Sequence, residues 1–202
     1  MLPIDKTVHM SLFLTRVVQT VCEMLHDRGG YEADVEHFRS IIGEELSDVN
    51  ENTLTIDSLN VRLVIDLRDK LNEVKSFANQ FIESSEHGVY IIIFKTPLSK
   101  LSRSNLKFLE DLSNETRFVQ TFDVKELSMN ISTHVLVPKH EIVPDRDIPE
   151  LLQELNAQEQ QLPAILRTDP MAKYLGVRPG QIMKITRASP TAGTYVMYRR
   201  CV

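Results

Sequence analysis

Acidic side chains followed by a lysine form the first arrangement in the chain that is suited to catalysis. Asp57 or Asp66 precedes Glu73-Val74-Lys75, the order in which metal-dependent nucleases supply two Mg²⁺-binding carboxylates and a lysine that steadies the attacked phosphate. That chemistry needs the glutamate and the lysine on a strand, where residues i and i+2 share one face. Apolar residues at helical spacing around Val74 instead predict a helix, on which Glu73 and Lys75 point roughly 200° apart. A stand-alone Mg²⁺-dependent nuclease therefore stays only an alternative.

Two histidines offer the next candidate chemistry, because imidazole is a common metal ligand. His134 and His140 lie near Glu141, but neither a CxxC pair nor an HExxH sequence accompanies them. The glycines also form no phosphate-binding loop of the GxGxxG or GxxxxGK[ST] type. We interpret both histidines as partly exposed residues at the ends of a strand. The sequence predicts no metal site, no cofactor, no catalytic residue and no small-molecule substrate.

A run of bases without an intervening acid lies between residues 94 and 109, and it comprises Lys95, Lys100, Arg103 and Lys107. The spacing of the neighbouring apolar residues predicts a helix over residues 98–112, with Lys100, Arg103 and Lys107 on one flank. An ordinary solvated helix face is one interpretation. The other is a small phosphate-contacting patch beside the turn at Thr96-Pro97.

The end of the chain is a predicted strand with no purely polar face. Tyrosine, methionine and arginine, which are enriched at protein–protein interfaces, alternate along residues 195–202. A core strand of a small domain is one interpretation. However, the 71 residues of 132–202 offer too little core to bury both faces of that strand. We therefore expect part of this surface to meet a partner.

Two groups of elements position these residues. The first group alternates helices with strands and predicts an α/β layer of three to four strands closing near residue 131: helices over 5–27, 31–43, about 71–81 and 98–112, and strands over 53–57, 61–67, 89–94 and 116–122. The second group predicts a small α+β domain: strands over 134–138, 181–187 and 195–202, and short helices beginning at Asp147 and Asp169. Asp147 with Glu150 has capping-box spacing, Gly176 is expected to end the second helix, and Pro179-Gly180 suits a type II turn.

Charge divides the chain at the same place. The formal net charge is −5, with 14 Lys and Arg against 21 Asp and Glu in residues 1–131, and nine against seven in 132–202. The sequence thus predicts two domains, 1–131 and 132–202. An acidic first half argues against a broad surface that coats nucleic acid. No apolar run reaches the roughly 20 residues of a membrane span, no secretory signal opens the chain, and two cysteines are too few for a disulfide framework. We expect a soluble intracellular protein without membrane contacts.

The second half resembles the assembly domain of the fifth subunit of eukaryotic RNA polymerases I, II and III, a domain shared with the short archaeal counterpart of that subunit. The resemblance rests on motifs that occur in family order: His134-x-Leu136-Val137-Pro138-Lys139-His140, Gln161-Leu162-Pro163-x-Ile165, Asp169-Pro170-x-Ala172-x-Tyr174-Leu175-Gly176, Gly180-Gln181-x-x-Lys184-Ile185-x-Arg187 and Thr191-Ala192-Gly193-x-Tyr195-x-x-Tyr198-Arg199. Residues 1–131 resemble the eukaryotic jaw domain, which the archaeal counterpart lacks, in length, in α/β alternation and in the Thr96-Pro97 turn.

This resemblance implies a non-catalytic subunit of a DNA-directed RNA polymerase. The C-terminal domain of the family fixes the subunit onto the largest polymerase subunit, and the N-terminal jaw, whose fold is nuclease-like, lies along downstream duplex DNA. The implied DNA-proximal residues are Thr96, Pro97, Lys100 and Arg103. The candidate partner-binding residues are Tyr174, Arg187, Tyr195, Tyr198 and Arg199. The implied compartment is the nucleus or, for a viral copy, the compartment of viral transcription.

The chain also departs from the family pattern. Pro190 and Thr194 replace a glutamate and an arginine in the last turn, and Leu98-Ser99 replaces Ser-Ala after the Thr-Pro turn. These changes indicate a divergent lineage, a polymerase-specific paralogue or a viral copy. A free transcription regulator that grips duplex DNA with the same jaw is a further hypothesis. The acidic net charge of residues 1–131 argues against it, because such binding depends on neutralising phosphates.

Overall fold

Two helices open the part of the chain that the computed structural model describes, which comprises residues 6–42, 53–66, 88–95, 97–113, 117–189, 191 and 193–202. They are α1, Lys6–Arg28, and α2, Glu32–Ile42. The predicted first helix is confirmed as α1, which buries an apolar stripe at Leu14, Val17, Val21 and Leu25. Gly29 and Gly30 follow α1 with φ values of 73° and 81°, the left-handed conformation that ends a helix and that glycine adopts without strain.

Four strands build the first sheet: β1 Thr53–Asp57, β2 Val61–Asp66, β3 Val89–Phe94 and β4 Phe118–Asp123. Their order is β1-β2-β3-β4, with β1 antiparallel to β2 and the other neighbours parallel. Every residue of β2 and β3 is buried, as expected for strands that are covered on both faces. The strand predictions for this half are confirmed, whereas the helix predicted around residues 71–81 lies outside the described residues.

The helix predicted over residues 98–112 consists of two separate pieces. Leu98–Lys100 form a 3₁₀ turn, and the α-helix, α3, spans Arg103–Asp111. Ser102 separates them, because its backbone is extended (ψ 151°) and its hydroxyl accepts a hydrogen bond from the Asn105 N–H at 3.3 Å. Serine in this position is a preferred N-cap. The prediction of one continuous helix, with Lys100 and Arg103 on a common flank, is therefore wrong.

The second sheet has the order β5-β7-β8-β6. Its strands are β5 Lys139–Ile142, β6 Ala164–Ile165, β7 Ile182–Ser189 and β8 Gly193–Cys201. Helix α4, Ile148–Glu154, packs on one face through a cluster that includes Ile182 and Tyr198. Helix α5, Pro170–Leu175, belongs to the other face, where Met183 and Cys201 are buried. Both halves are thus mixed α and β structures.

Two local predictions for the second half are wrong. Residues 134–137 form a turn rather than a strand, because the Val137 N–H bonds to the His134 carbonyl at 2.9 Å and the Leu136 N–H bonds to the His134 ring at 3.2 Å. Asp147 precedes α4 but provides no side-chain cap. It ends a preceding 3₁₀ turn with helical backbone angles, and its carboxylate pairs with Arg146 at 3.3 Å.

Other local predictions are confirmed. The Asp169 carboxylate accepts hydrogen bonds from the backbone N–H groups of Met171 and Ala172 at the start of α5. Gly176 ends that helix with φ 70°, and Gly180 has φ 92° in the turn before β7.

The chain separates into two compact units, Met1–Met129 and Asn130–Val202. The predicted boundary between residues 131 and 132 lies two residues further along.

Candidate assembly surface and basic turn

Large apolar side chains are exposed in several places in the second unit. Val135 and Leu136, in the turn before β5, are 96% and 83% exposed. Leu166, Tyr195, Val196 and Val202 are also exposed. Single exposed apolar residues are ordinary, whereas neighbouring ones, such as Val135 and Leu136, are candidates for a surface that another molecule covers.

Part of this exposure lies at the β7–β8 hairpin end. We define the hairpin end as residues 187–196 with the exception of Pro190 and Ala192. Helices α4 and α5 have seven and six residues, so each is only about 10 Å long. Strand β8 has nine residues and spans about 30 Å. Neither helix is long enough to cover the whole strand. Exposure therefore falls along β8, from its first four residues, which are exposed, to Cys201, which is buried.

The predicted partner-binding residues fall into three environments. Arg187 and Tyr195 are opposite each other in the β7–β8 register, and both are exposed. Tyr198 is half-buried against the core. The Arg199 guanidinium donates to the Ala164 carbonyl at 3.4 Å. Tyr174 is only 3% exposed, and its hydroxyl lies 3.5 Å from the Ser132 hydroxyl, so its side chain packs inside the unit.

Two of the basic residues predicted to lie near DNA are at the start of α3. Lys100 ends the 3₁₀ turn, Arg103 is the first residue of α3, and both are exposed. Pro97 precedes the turn with φ −55° and ψ 132°, whereas Thr96 lies outside the described residues. Leu98 and Leu101 anchor this segment by packing against the buried cluster around β3. The first turn of α3 contains no acid, so positive side chains accompany the positive end of the helix dipole.

Asp57, one of the carboxylates considered for nuclease chemistry, is engaged in an ion pair. The Arg62 guanidinium binds Asp57 through both carboxylate oxygens, with 2.6 Å between Nη2 and Oδ2. Hydrogen bonding to Asp57 raises the pKa of Arg62 above its ordinary value. Asp66 is fully buried at the end of β2, and Glu73 and Lys75 lie outside the described residues. Within the described ranges, no group of three or more His, Cys, Asp or Glu side chains is arranged to hold a metal ion.

Asp34 is an important residue that the sequence patterns do not reveal. Its buried carboxylate accepts hydrogen bonds from the Asn60 N–H at 2.9 Å, the Asn60 side-chain amide at 3.1 Å and the Val61 N–H at 3.3 Å. Burial alone raises the pKa of Asp34, but the hydrogen bonds from Asn60, Ser58 and Val61 outweigh it and hold the pKa below its ordinary value. Asp34 thus ties α2 to the β1–β2 turn. No short spacing signal links residues this far apart.

The remaining chemically active side chains are also structural. The His140 ring lies 2.7 Å from the Pro138 carbonyl, so both candidate metal-binding histidines make local turn contacts. Cys22 and Cys201 are buried free thiols. Burial raises the pKa of Cys22 to about 11 and raises that of Cys201 as well, which makes both poor nucleophiles. No helix among the described residues combines the length and the apolar content that a bilayer crossing requires.

The second unit carries an incompletely covered hairpin and an exposed apolar turn, which is the kind of surface that another molecule covers in an assembly. Comparison with known proteins identifies the family. Residues 129–201 match the family model described as RNA polymerase Rpb5, C-terminal domain. The chain belongs to the Rpb5 family of RNA polymerase subunits.

Relatives extend this match to both units. The subunit RPABC1 of DNA-directed RNA polymerases I, II and III from Caenorhabditis briggsae is 30% identical, over 94% of this chain and 95% of the relative. The protein of that name from Dictyostelium discoideum is 31% identical, over 94% of this chain and 97% of the relative. Subunit 5B of DNA-directed RNA polymerases IV and V from Arabidopsis thaliana is 29% identical, over 91% and 87%. The family resemblance noted from the motifs is confirmed.

Proposed function

We propose that this chain is a non-catalytic, nuclear subunit of a DNA-directed RNA polymerase. The observation that carries the proposal is the length of the match. The relatives named as polymerase subunits align with 94% of this chain and at least 95% of their own length in two cases. A shared short motif would not require such agreement. The structural engagement of Asp57 by Arg62 also favours a subunit over the nuclease alternative.

Affinity purification tests the proposal directly. A tagged copy of the chain, expressed in its native cells, should recover the two large polymerase subunits in about equal amounts, as quantified by mass spectrometry. The identity of those large subunits would also show which polymerase contains the chain. Recovery of the chain as a free monomer in every fraction would contradict the proposal.

Residues 132–202 are proposed to dock on the largest polymerase subunit. The apolar turn at Val135 and Leu136 and the β7–β8 hairpin end support this assignment, because they present apolar and aromatic surface that the unit itself does not cover. Arg187 and Tyr195 are the proposed contact residues at the hairpin end, with Tyr198 and Arg199 nearer the core. Tyr174 acts through packing, since its side chain is buried.

Residues 1–131 are proposed to form a jaw that lies along downstream DNA, with the start of α3 facing the duplex. Lys100 and Arg103 are exposed next to backbone N–H groups at a helix N-terminus, an arrangement that favours phosphate. A lysine and an arginine that approach from a turn contact the backbone and carry no sequence information. Pro97 stiffens the approach to this turn, and Thr96 is kept with it in the proposal.

Salt dependence tests the DNA contact. Each phosphate that a basic side chain neutralises contributes about −0.9 to the slope of log affinity against log salt. Replacing Lys100 and Arg103 by alanine should make the slope for open polymerase–DNA complexes about 2 units shallower and leave incorporation of the subunit unchanged. The control replaces Arg39 and Lys125, which are also exposed, and should preserve the slope. An unaltered slope in the Lys100 and Arg103 variant would reject the DNA-facing assignment.

A further inference from the structure

We propose that the second unit binds an extended peptide segment of a partner protein in a groove between α4 and the sheet, and that this segment carries an apolar side chain flanked by lysines or arginines. The groove has a volume of about 580 Å³. The proposal does not depend on membership of a polymerase, because it rests on the shape and charge of residues 141–198 alone.

The floor of the groove is apolar and belongs to both the helix and the sheet. Leu151 of α4, Val143 after β5 and Tyr198 of β8 line it. The same three residues belong to one cluster, in which Leu151 and Val143 are buried and Tyr198 is half-buried. An incoming apolar side chain would extend this existing cluster, and removing it from water there would favour binding.

The rim of the groove is acidic. Glu150 and Glu154 lie four residues apart on one flank of α4, and Asp147, which pairs with Arg146 at 3.3 Å, lines the groove from the turn before the helix. Glu141 lines the groove from β5 and already pairs with Lys139 at 2.7 Å. Lys184, which is opposite Glu141 in the β5–β7 register, is the basic residue among the lining residues.

This concentration of acids is not a property of the whole unit. Residues 132–202 contain nine basic and seven acidic residues, a formal net charge of +2. Four of those seven acids line the groove. A negative concavity on a unit of opposite net charge attracts cationic ligands selectively and repels anionic ones. Because the apolar floor lies close to the acidic rim, a complementary ligand has both apolar and basic side chains.

The sheet edge beside the groove favours an extended ligand. Strand β5 is an edge strand, and the Val143 N–H bonds to the Ile182 carbonyl at 2.9 Å. Because hydrogen-bonded pairs alternate in antiparallel strands, the backbone N–H and C=O groups of His140 and Ile142 point away from β7. An extended segment that runs along β5 can use these groups, as in β-strand addition, while its side chains enter the groove.

Synthetic peptides test the proposal on the full chain. A fluorescein-labelled peptide of sequence KLKLK should bind at least tenfold more tightly than KSKSK, because serine gains little from the apolar floor. The peptide ELELE should show no binding, because the rim repels it. Fluorescence anisotropy measures all three. Equal affinities for KLKLK and KSKSK would overturn the proposal by showing that charge alone is recognised, as would binding of ELELE.

Charge reversal locates the site. Glu150 and Glu154 are exposed, so replacing both by lysine should preserve the fold, as circular dichroism would check. We expect KLKLK to bind this variant at least tenfold more weakly. The matched control reverses Glu36 and Asp111, which are exposed on helices of the first unit, and should bind within twofold of the original chain. Equal weakening in both variants would overturn the proposal, because it would show attraction to overall charge rather than to the groove.

Discussion

The two sheets have four strands each, yet they differ in how completely they are covered. In the first sheet every residue of β2 and β3 is buried. In the second, β8 lies between two neighbouring strands, but only Cys201 among its nine residues is buried. The first sheet therefore stabilises its own unit. The second leaves one end of an interior strand open, and such surface is consistent with a unit whose packing is completed by another subunit.

The short helices of the second unit explain why β8 is incompletely buried. The two helices of the second unit are about 10 Å long and cover the C-terminal end of β8, where Ile182, Met183 and Cys201 form the core. The first sheet packs Leu109 of the longer α3 with Tyr90, Ile92 and Phe94 of β3. An interior position in a sheet therefore does not by itself make a strand part of the core.

The largest effect on stability is expected in β3. Ile92 is fully buried in the cluster that joins the sheet to α3, so Ile92→Ala should lower the free energy of unfolding by about 2–5 kcal/mol, through lost burial and a cavity. The matched change in the open part of the second sheet, Val196→Ala, should cost less than about 0.5 kcal/mol. Urea unfolding of both variants measures the difference. Equal losses would remove the distinction between the two sheets.

The next effect concerns the connection between α2 and the first sheet. Asp34→Ala removes a buried acceptor from the Asn60 and Val61 N–H groups. Leaving a buried donor such as the Val61 N–H unsatisfied costs about 1–3 kcal/mol, and we expect a loss in that range by urea unfolding. The control Glu36→Ala changes an exposed acid on the same helix and should be nearly neutral. A loss no larger than that of the control would show that the Asp34 contacts do not hold the unit together.

A smaller effect follows from the pKa of Asp34. Because its pKa is lower in the folded state than in the unfolded state, its ionised form stabilises the fold at pH values above its unfolded pKa of about 3.9. That contribution is lost as the pH falls through the folded-state pKa. The stability difference between the original chain and Asp34→Asn should therefore shrink between pH 5 and pH 2, as measured by urea unfolding. A difference that grows on acidification would contradict the lowered pKa.

Much of the fold follows from local sequence patterns, and the failures have physical causes. The strand over 89–94, the first helix and the short helix beginning at Asp169 are predicted from short-range signals, and each is confirmed. Ser102 divides a segment that has continuous helical periodicity, because a cap competes with helix propagation. The apolar residues Val135 and Leu136 suggest a strand, but both lie in a hydrogen-bonded turn and both side chains are exposed.

The candidate assembly surface is harder to predict than the fold, because it depends on which side chains the folded unit leaves exposed. The alternation of aromatic, apolar and basic residues in β8 predicts a two-faced strand, but not which end of that strand the helices cover. The buried position of Tyr174 follows from its place on α5 against the core. Motif spacing carries no information on burial. Likewise, the acidic groove combines residues of β5, α4 and β8, which only the folded unit brings together.

The smallest effect on stability is expected for a pair of variants that separates the surfaces of the two units. Leu136 in the second unit and Leu59 in the first are 83% and 74% exposed. Replacing either by serine should change the free energy of unfolding by less than about 0.5 kcal/mol. The two variants therefore compare the surfaces without a confounding loss of fold.

The decisive measurement is quantitative co-purification of the large polymerase subunits with tagged Leu136→Ser and Leu59→Ser variants, expressed at equal levels beside the original chain. If the uncovered surface of residues 132–202 docks on the largest subunit, Leu136→Ser should recover less than half as much of the large subunits as the original chain, and Leu59→Ser should recover the same amount. Normal recovery with Leu136→Ser, together with loss of recovery with Leu59→Ser, would contradict this assignment and place the docking surface in the first unit.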